Sequence, residues 1–197
     1  MKHVLIVHGW GNVRPTDHWQ RRLANALRRQ GHNVHYPQLP STHLPTFEAW
    51  SEVLATELAM IAQLVEEGEE VVVVTHSLGC STFMRMAVDG LVPTTVDRLL
   101  MVAPADTSLF TEVPSFVVEP TPLVRDSLKS VARNVSLVGS DADPWTPRGI
   151  VETYAKPLEI EPVIIVGAKH LASGDGWGPW QGVIDWVNDP TADLAVR

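Results

Sequence analysis

Cysteine is nearly missing from this sequence, with Cys80 the single example among 197 residues. A lone cysteine excludes an internal disulfide and suits a reducing compartment, so a cytoplasmic protein is expected. Positive charge is also scarce: 15 Lys and Arg stand against 23 Asp and Glu, a net charge of −8. That balance argues against a nucleic-acid partner, which needs a basic stripe, and against attraction to an anionic membrane surface. The one basic cluster, Arg21, Arg22, Arg28 and Arg29, has the spacing of a single solvated helix face. No apolar run approaches the ~20 residues of a membrane helix. The opening MKHVLIVHGW has too short an apolar stretch for a signal-peptide core and reads as a strand. No His, Cys and Asp cluster has metal-ligand spacing, and no phosphate-cradling glycine loop follows a strand. Neither a metal nor a nucleotide cofactor is therefore implied.

What the sequence does hold is an alternation of short apolar runs with longer amphipathic ones. The runs HVLIV (3–7), NVHY (33–36), VVVVT (71–75), RLLMVA (98–103), VSLV (135–138) and PVIIV (162–166) predict strands. Several are apolar throughout, as parallel strands buried on both faces are. Helical spacing links Trp19, Leu23, Ala26 and Leu27 up to Gly31, then Trp50, Leu54, Leu58, Ile61 and Val65 towards Gly68. Further helices are expected over 78–89, from Thr146-Pro147 onwards with Ile150, Val151 and Tyr154, and from Pro179 with Trp180, Val183, Ile184 and Val187. The pattern predicts an α/β fold in one domain, 1–197: about six mostly parallel strands with helices on both faces. Segment 104–122 is too short for a lid domain, and the last eight residues read as a frayed tail.

Ligands of open α/β sheets bind beyond the carboxyl ends of the strands, so the residues standing there carry the functional reading. In order they are His8-Gly9-Trp10-Gly11, His76-Ser77-Leu78-Gly79, Pro104-Ala105-Asp106, Ser140-Asp141-Ala142-Asp143-Pro144 and Gly167-Ala168-Lys169-His170. A serine, an acid and a histidine thus follow successive strands in the chain order of α/β-hydrolase triads. Ser77 sits where a tight strand-to-helix turn would expose its hydroxyl as a nucleophile, a plain helix N-cap being its other role. The residue two before it is Thr75 where the G-x-S-x-G signature has glycine. Cys80 is expected to be a small buried helix residue rather than a nucleophile. Among eight histidines, His170 alone follows the last strand and is the expected general base. His76 adjoins Ser77, but neighbouring side chains on a tight turn point apart. Asp143, stiffened by Pro144, is the first choice of acid, with Asp141 and Asp106 as alternatives. The oxyanion hole is expected from the backbone N–H of Leu78 and of Trp10 or Gly11.

The segments HGWGNVRPTDHW (8–19), THSLGC (75–80), GSDADPW (139–145) and KHLASGDGWGPW (169–180) together carry a resemblance over nearly the whole chain. It resembles the small α/β-hydrolase-fold serine hydrolases of the family named after retinoblastoma-binding protein nine, with YdeN-type bacterial members. The resemblance implies a trimmed α/β-hydrolase core without a lid, and a triad transferred to Ser77, Asp143 and His170. The family's tail signature is matched by His170, Ser173, Gly174 and Trp180, and Trp19 fits the tryptophan after the first glycine loop. Ala168-Lys169 replaces a glycine often found before the histidine. The Leu-x-Cys-x-Glu motif that binds pocket proteins is absent, so that partner does not carry over.

The activity implied is a carboxylesterase acting on small esters through an acyl-enzyme. A thioesterase, amidase or peptidase, or acyltransferase would use the same triad, and a non-catalytic binding protein could use the same fold. The expected partner is a small-molecule ester or related acyl substrate, with neither nucleic acid nor membrane. His8, Gly11, Trp145, Trp177 and Trp180 are the candidate pocket residues, because they fall in strand-end loops and aromatic rings there suit an apolar group.

Overall fold

The computed structural model describes residues 1–197. Strands β1 (Lys2–Val7), β2 (Asn33–His35), β3 (Glu70–His76), β4 (Val96–Val102), β5 (Ala132–Gly139) and β6 (Pro162–Ile164) form one sheet. Their order is β2-β1-β3-β4-β5-β6, and every pairing is parallel. The chain steps from β1 outward to β2, then returns to place β3 on the other side of β1. That reversal is the topological switch point, and it brings the loops after β1 and β3 side by side.

Alternate residues of each strand face opposite sides, so the apolar strands feed two cores. Leu5, Val7, Val71, Val73, Leu99, Met101 and Leu137 pack beneath α2 (Phe47–Leu64), α3 (Leu78–Val88) and α4 (Pro122–Val131). Val4, Ile6, Val72, Val74, Leu100, Val102 and Val138 pack against α1 (Trp19–Arg29) and α6 (Gln181–Asn188). Arg98 is buried in the second layer, where its guanidinium donates to the carbonyls of Trp186 and Val187 at 2.6 and 2.7 Å. A cation at the last turn of α6 meets carbonyls that have no intrahelical donor. No helix is long and apolar enough to cross a membrane.

The structure departs from the sequence pattern at three places. Residues 146–148 do not open a helix: Thr146 is buried, and its Oγ1 donates to the carbonyl of Pro104 at 3.0 Å. The helical stretch starts past Gly149, as one π-helical turn, Val151–Ala155, followed by α5 (Lys156–Leu158). Helix α4 was not among the expected helices, although Pro122 at its start and Val124 and Leu128 on its buried side are ordinary signals. The last eight residues are docked rather than frayed. Leu194 is buried, its carbonyl accepts from Trp180 Nε1 at 2.8 Å, and the carbonyl of Val196 accepts from the N–H of Gly182 at 2.8 Å. A Cβ at Gly182 would lie 2.6 Å from the carbonyl oxygen of Asp193, so glycine is what lets the tail close on α6.

Candidate active site

Ser77 lies between β3 and α3 with φ 54° and ψ −124°, a left-handed conformation that residues with a Cβ avoid. The turn is compressed on both sides. A Cβ on Gly9 would come within 2.8 Å of Ser77 Cβ, and one on Gly79 within 2.8 Å of the His8 carbonyl and 2.9 Å of the Val7 carbonyl. Loop β1 and helix α3 can approach this closely only because both positions are glycine. The Ser77 hydroxyl caps nothing, since no side-chain cap bond forms at the start of α3. Thr75 fits because it remains in the extended ladder of β3, opposite Met101, where β-branching suits the backbone. Its Oγ1 lies 3.2 Å from the Leu100 carbonyl and 3.1 Å from Cys80 Sγ. Cys80 is fully buried, and burial pushes its thiol up to about 12, so no thiolate forms at neutral pH.

The hydroxyl faces His170 instead. Ser77 Oγ is 2.8 Å from His170 Nε2, and His170 Nδ1 is 2.9 Å from Asp143 Oδ2. A carboxylate only accepts, so Nδ1 carries the proton and Nε2 is left to accept from the serine. Asp143 is buried, and its Oδ1 also accepts from the Trp145 N–H at 2.9 Å. A hydroxyl, imidazole and carboxylate in this line can move a proton off the serine while the carboxylate holds the ring. The other two acids are occupied elsewhere. Asp106 is paired with Arg148 at 2.7 Å, and this contact holds its carboxyl below the usual range. Asp141 Oδ1 accepts from the Gly167 N–H at 2.7 Å, steadying the base of the histidine loop. In that loop Lys169 takes φ 52°, the left-handed conformation that glycine adopts freely.

Beside Ser77 opens a cavity of about 380 Å³ lined by Trp10, Gly11, Ser77, Leu78, His170 and a wall of Ala105, Leu109, Phe110, Trp145 and His43. Leu78 is the first residue of α3, whose N–H has no intrahelical acceptor. The Gly11 N–H donates to the Thr42 carbonyl at 2.9 Å, whereas the Trp10 N–H has no acceptor in the fold. Of the two candidates in that loop, Trp10 is therefore the free donor. The lining contains no Asp, Glu, Lys or Arg, and no three His, Cys, Asp or Glu side chains gather as a metal site.

Residues 4–189 match the family described as serine hydrolase. The chain belongs to the serine hydrolase family. No functionally curated protein matches it. Among solved structures, this serine hydrolase is similar to the ydeN gene product of Bacillus subtilis, with a TM-score of 0.75 at 18% identity over 95% of this chain and 97% of that one. A YdeN-like hydrolase of Pectobacterium atrosepticum gives 0.68 at 20% identity, over 94% and 88% of the two chains. Est1E of Butyrivibrio proteoclasticus, solved with ferulic acid bound, gives 0.63 at 14% identity over 87% and 82%. The fold is that of the α/β hydrolases, in a reduced form.

Of the five pocket residues expected from sequence, the serine hydrolase places Gly11 and Trp145 at the cavity and the other three elsewhere. His8 is buried behind it: its Nδ1 donates to the Gly9 carbonyl and its Nε2 accepts from the Leu39 N–H, both at 3.0 Å. Trp177 and Trp180 stack edge-to-face 5.1 Å apart, and Trp180 meets Trp19 at the same distance. They are buried in the core layer that α1 and α6 form with one face of the sheet. The lining residues missed are His43, Ala105, Leu109 and Phe110. Ala105, Leu109 and Phe110 stand in the irregular 104–122 segment, where apolar residues without periodicity were the available signal.

Proposed function

We propose that this serine hydrolase is a carboxylesterase for small, uncharged esters, with Ser77 as nucleophile, His170 as general base and Asp143 as the acid that orients it. His170 takes the Ser77 proton as Oγ attacks the ester carbonyl, and the N–H groups of Leu78 and Trp10 receive the resulting oxyanion. The proton passes to the departing alcohol, leaving an acyl-enzyme. Water, deprotonated by His170 in turn, then releases the acid and restores Ser77. The hydrogen-bonded line from Ser77 Oγ through His170 to Asp143, 2.8 and 2.9 Å, carries this reading.

The wall of the cavity, without Asp, Glu, Lys or Arg, favours neutral acyl groups over charged ones. An acyl group bearing a carboxylate or an ammonium would find no partner for its charge against such a wall. Steady-state rates on p-nitrophenyl esters, from acetate to dodecanoate and including a carboxylated and an amino-bearing acyl group, test the proposal. Neutral acyl groups shorter than decanoate should give the highest kcat/KM, and Ser77→Ala should lose about 10⁴-fold or more. A maximum at a charged or a long-chain acyl group would overturn the substrate class.

A further inference from the structure

The backbone of His170 is gripped on both sides. Its N–H donates to Asp175 Oδ2 at 3.2 Å, and its carbonyl accepts from His76 Nε2 at 2.9 Å. The next carbonyl, of Leu171, accepts from Trp19 Nε1 at 2.8 Å. The flanking residues Lys169 and Leu171, at φ 52° and 54°, are both in the left-handed region, so this stretch needs outside contacts to hold its shape.

His76 is an unusual choice for a packing residue. It is buried, with Trp19 and His18 edge-on at centroid distances of 5.7 and 5.5 Å and the His170 ring tilted at 5.1 Å. Because a carbonyl can only accept, Nε2 carries its proton and Nδ1 does not. That Nδ1 is buried with no hydrogen-bond partner, a cost that a leucine or phenylalanine would avoid. The whole polar return on this buried ring is one bond, and that bond ends on His170.

We propose that His76 is a positioning residue: by holding the carbonyl of His170, it sets the 2.8 Å approach of His170 Nε2 to Ser77 Oγ. The inference rests on the roles proposed for Ser77 and His170. Burial, with smaller contributions from His170 and His18, keeps the His76 ring well below the ordinary histidine range. It therefore remains an uncharged donor beside a ring that becomes cationic during turnover.

Three variants test this by ester kinetics and by the rate of fluorophosphonate labelling. His76→Phe keeps a ring and removes the donor. His76→Gln puts an amide N–H as many bonds from Cβ as Nε2 is, and His76→Asn puts it one bond short. His76→Phe should lower kcat and the labelling rate about 10- to 100-fold with KM nearly unchanged. His76→Gln should recover most of that loss, and His76→Asn should not. Wild-type kcat in the phenylalanine variant would overturn the proposal, as would equal losses in the glutamine and asparagine variants. Should the phenylalanine variant not fold, the glutamine and asparagine pair decides. Absence of labelling in the wild type would instead remove the role of Ser77, and this inference with it.

Discussion

Two strained loops meet at the site, and they are held by different forces. The turn at Ser77 is held by exclusion: Gly9 and Gly79 leave no room for another atom against the Ser77 side chain and the carbonyls of Val7, His8 and His76. The loop at His170 is held by directed bonds, from His76, Trp19, Asp141 and Asp175 onto its amides and carbonyls. Close packing fixes a position against compression, whereas hydrogen bonds fix it against drift. The serine should therefore be sensitive to added atoms, and the histidine to deleted donors and acceptors.

Asp143→Asn should have the largest effect among the loop substitutions, because an amide at Nδ1 can hold the ring in the wrong tautomer. A fall of about 10⁴-fold in kcat is expected, with the fold intact by circular dichroism. Retention of even a tenth of the activity would move the acid elsewhere. On the turn side, Gly9→Ala inserts a methyl 2.8 Å from Ser77 Cβ and 3.2 Å from its Oγ. It should cost about 100-fold in kcat/KM, and an undisturbed rate would show that the turn yields easily. Asp175→Ala removes the acceptor of the His170 N–H. The bond from the Ala172 N–H is lost with it while those from His76 and Trp19 remain, so a fall of about 10-fold in kcat is expected, without a comparable change in thermal stability.

The smallest effect separates the two regions by pH. Burial lowers His8, which braces the turn, and His18, which packs behind the loop, each to about 4. Both lie below the unfolded value near 6.5, so between these pH values the unfolded chain binds the extra protons. Their contribution to stability is complete above about pH 6.5 and is lost as pH falls towards 4. At pH 5 each should remove on the order of 2 kcal/mol, and the Tm should drop by roughly 8–16 °C from its value at pH 7. His18→Asn should reduce that drop, and a Tm independent of pH over this interval would contradict the burial of neutral rings.

The strands were readable from sequence because parallel strands buried on both faces leave uninterrupted runs such as VVVV at 71–74. The residues following them were readable for the same reason, and the structure brings Ser77, Asp143 and His170 within hydrogen-bond distance. The side walls were not. Whether a tryptophan lines the cavity or fills the core depends on where the chain turns after His170, which no periodicity records. Trp145 remained at the rim while Trp180 packed against Trp19 and Trp177 against Trp180. The docking of the tail was hidden for a similar reason: it is fixed by backbone carbonyls meeting Gly182 and the Trp180 indole, not by an apolar pattern. The π-helical turn at Val151–Ala155 has no sequence signature of its own.

Everything proposed for the site depends on the Ser77 hydroxyl being the reacting group. Intact-mass analysis and peptide mapping after treatment with a fluorophosphonate, for wild type and Ser77→Ala, test it directly. A single adduct is expected on the wild type, located at Ser77, and none on the alanine variant. An unlabelled wild type, or equal labelling of both proteins, would contradict it.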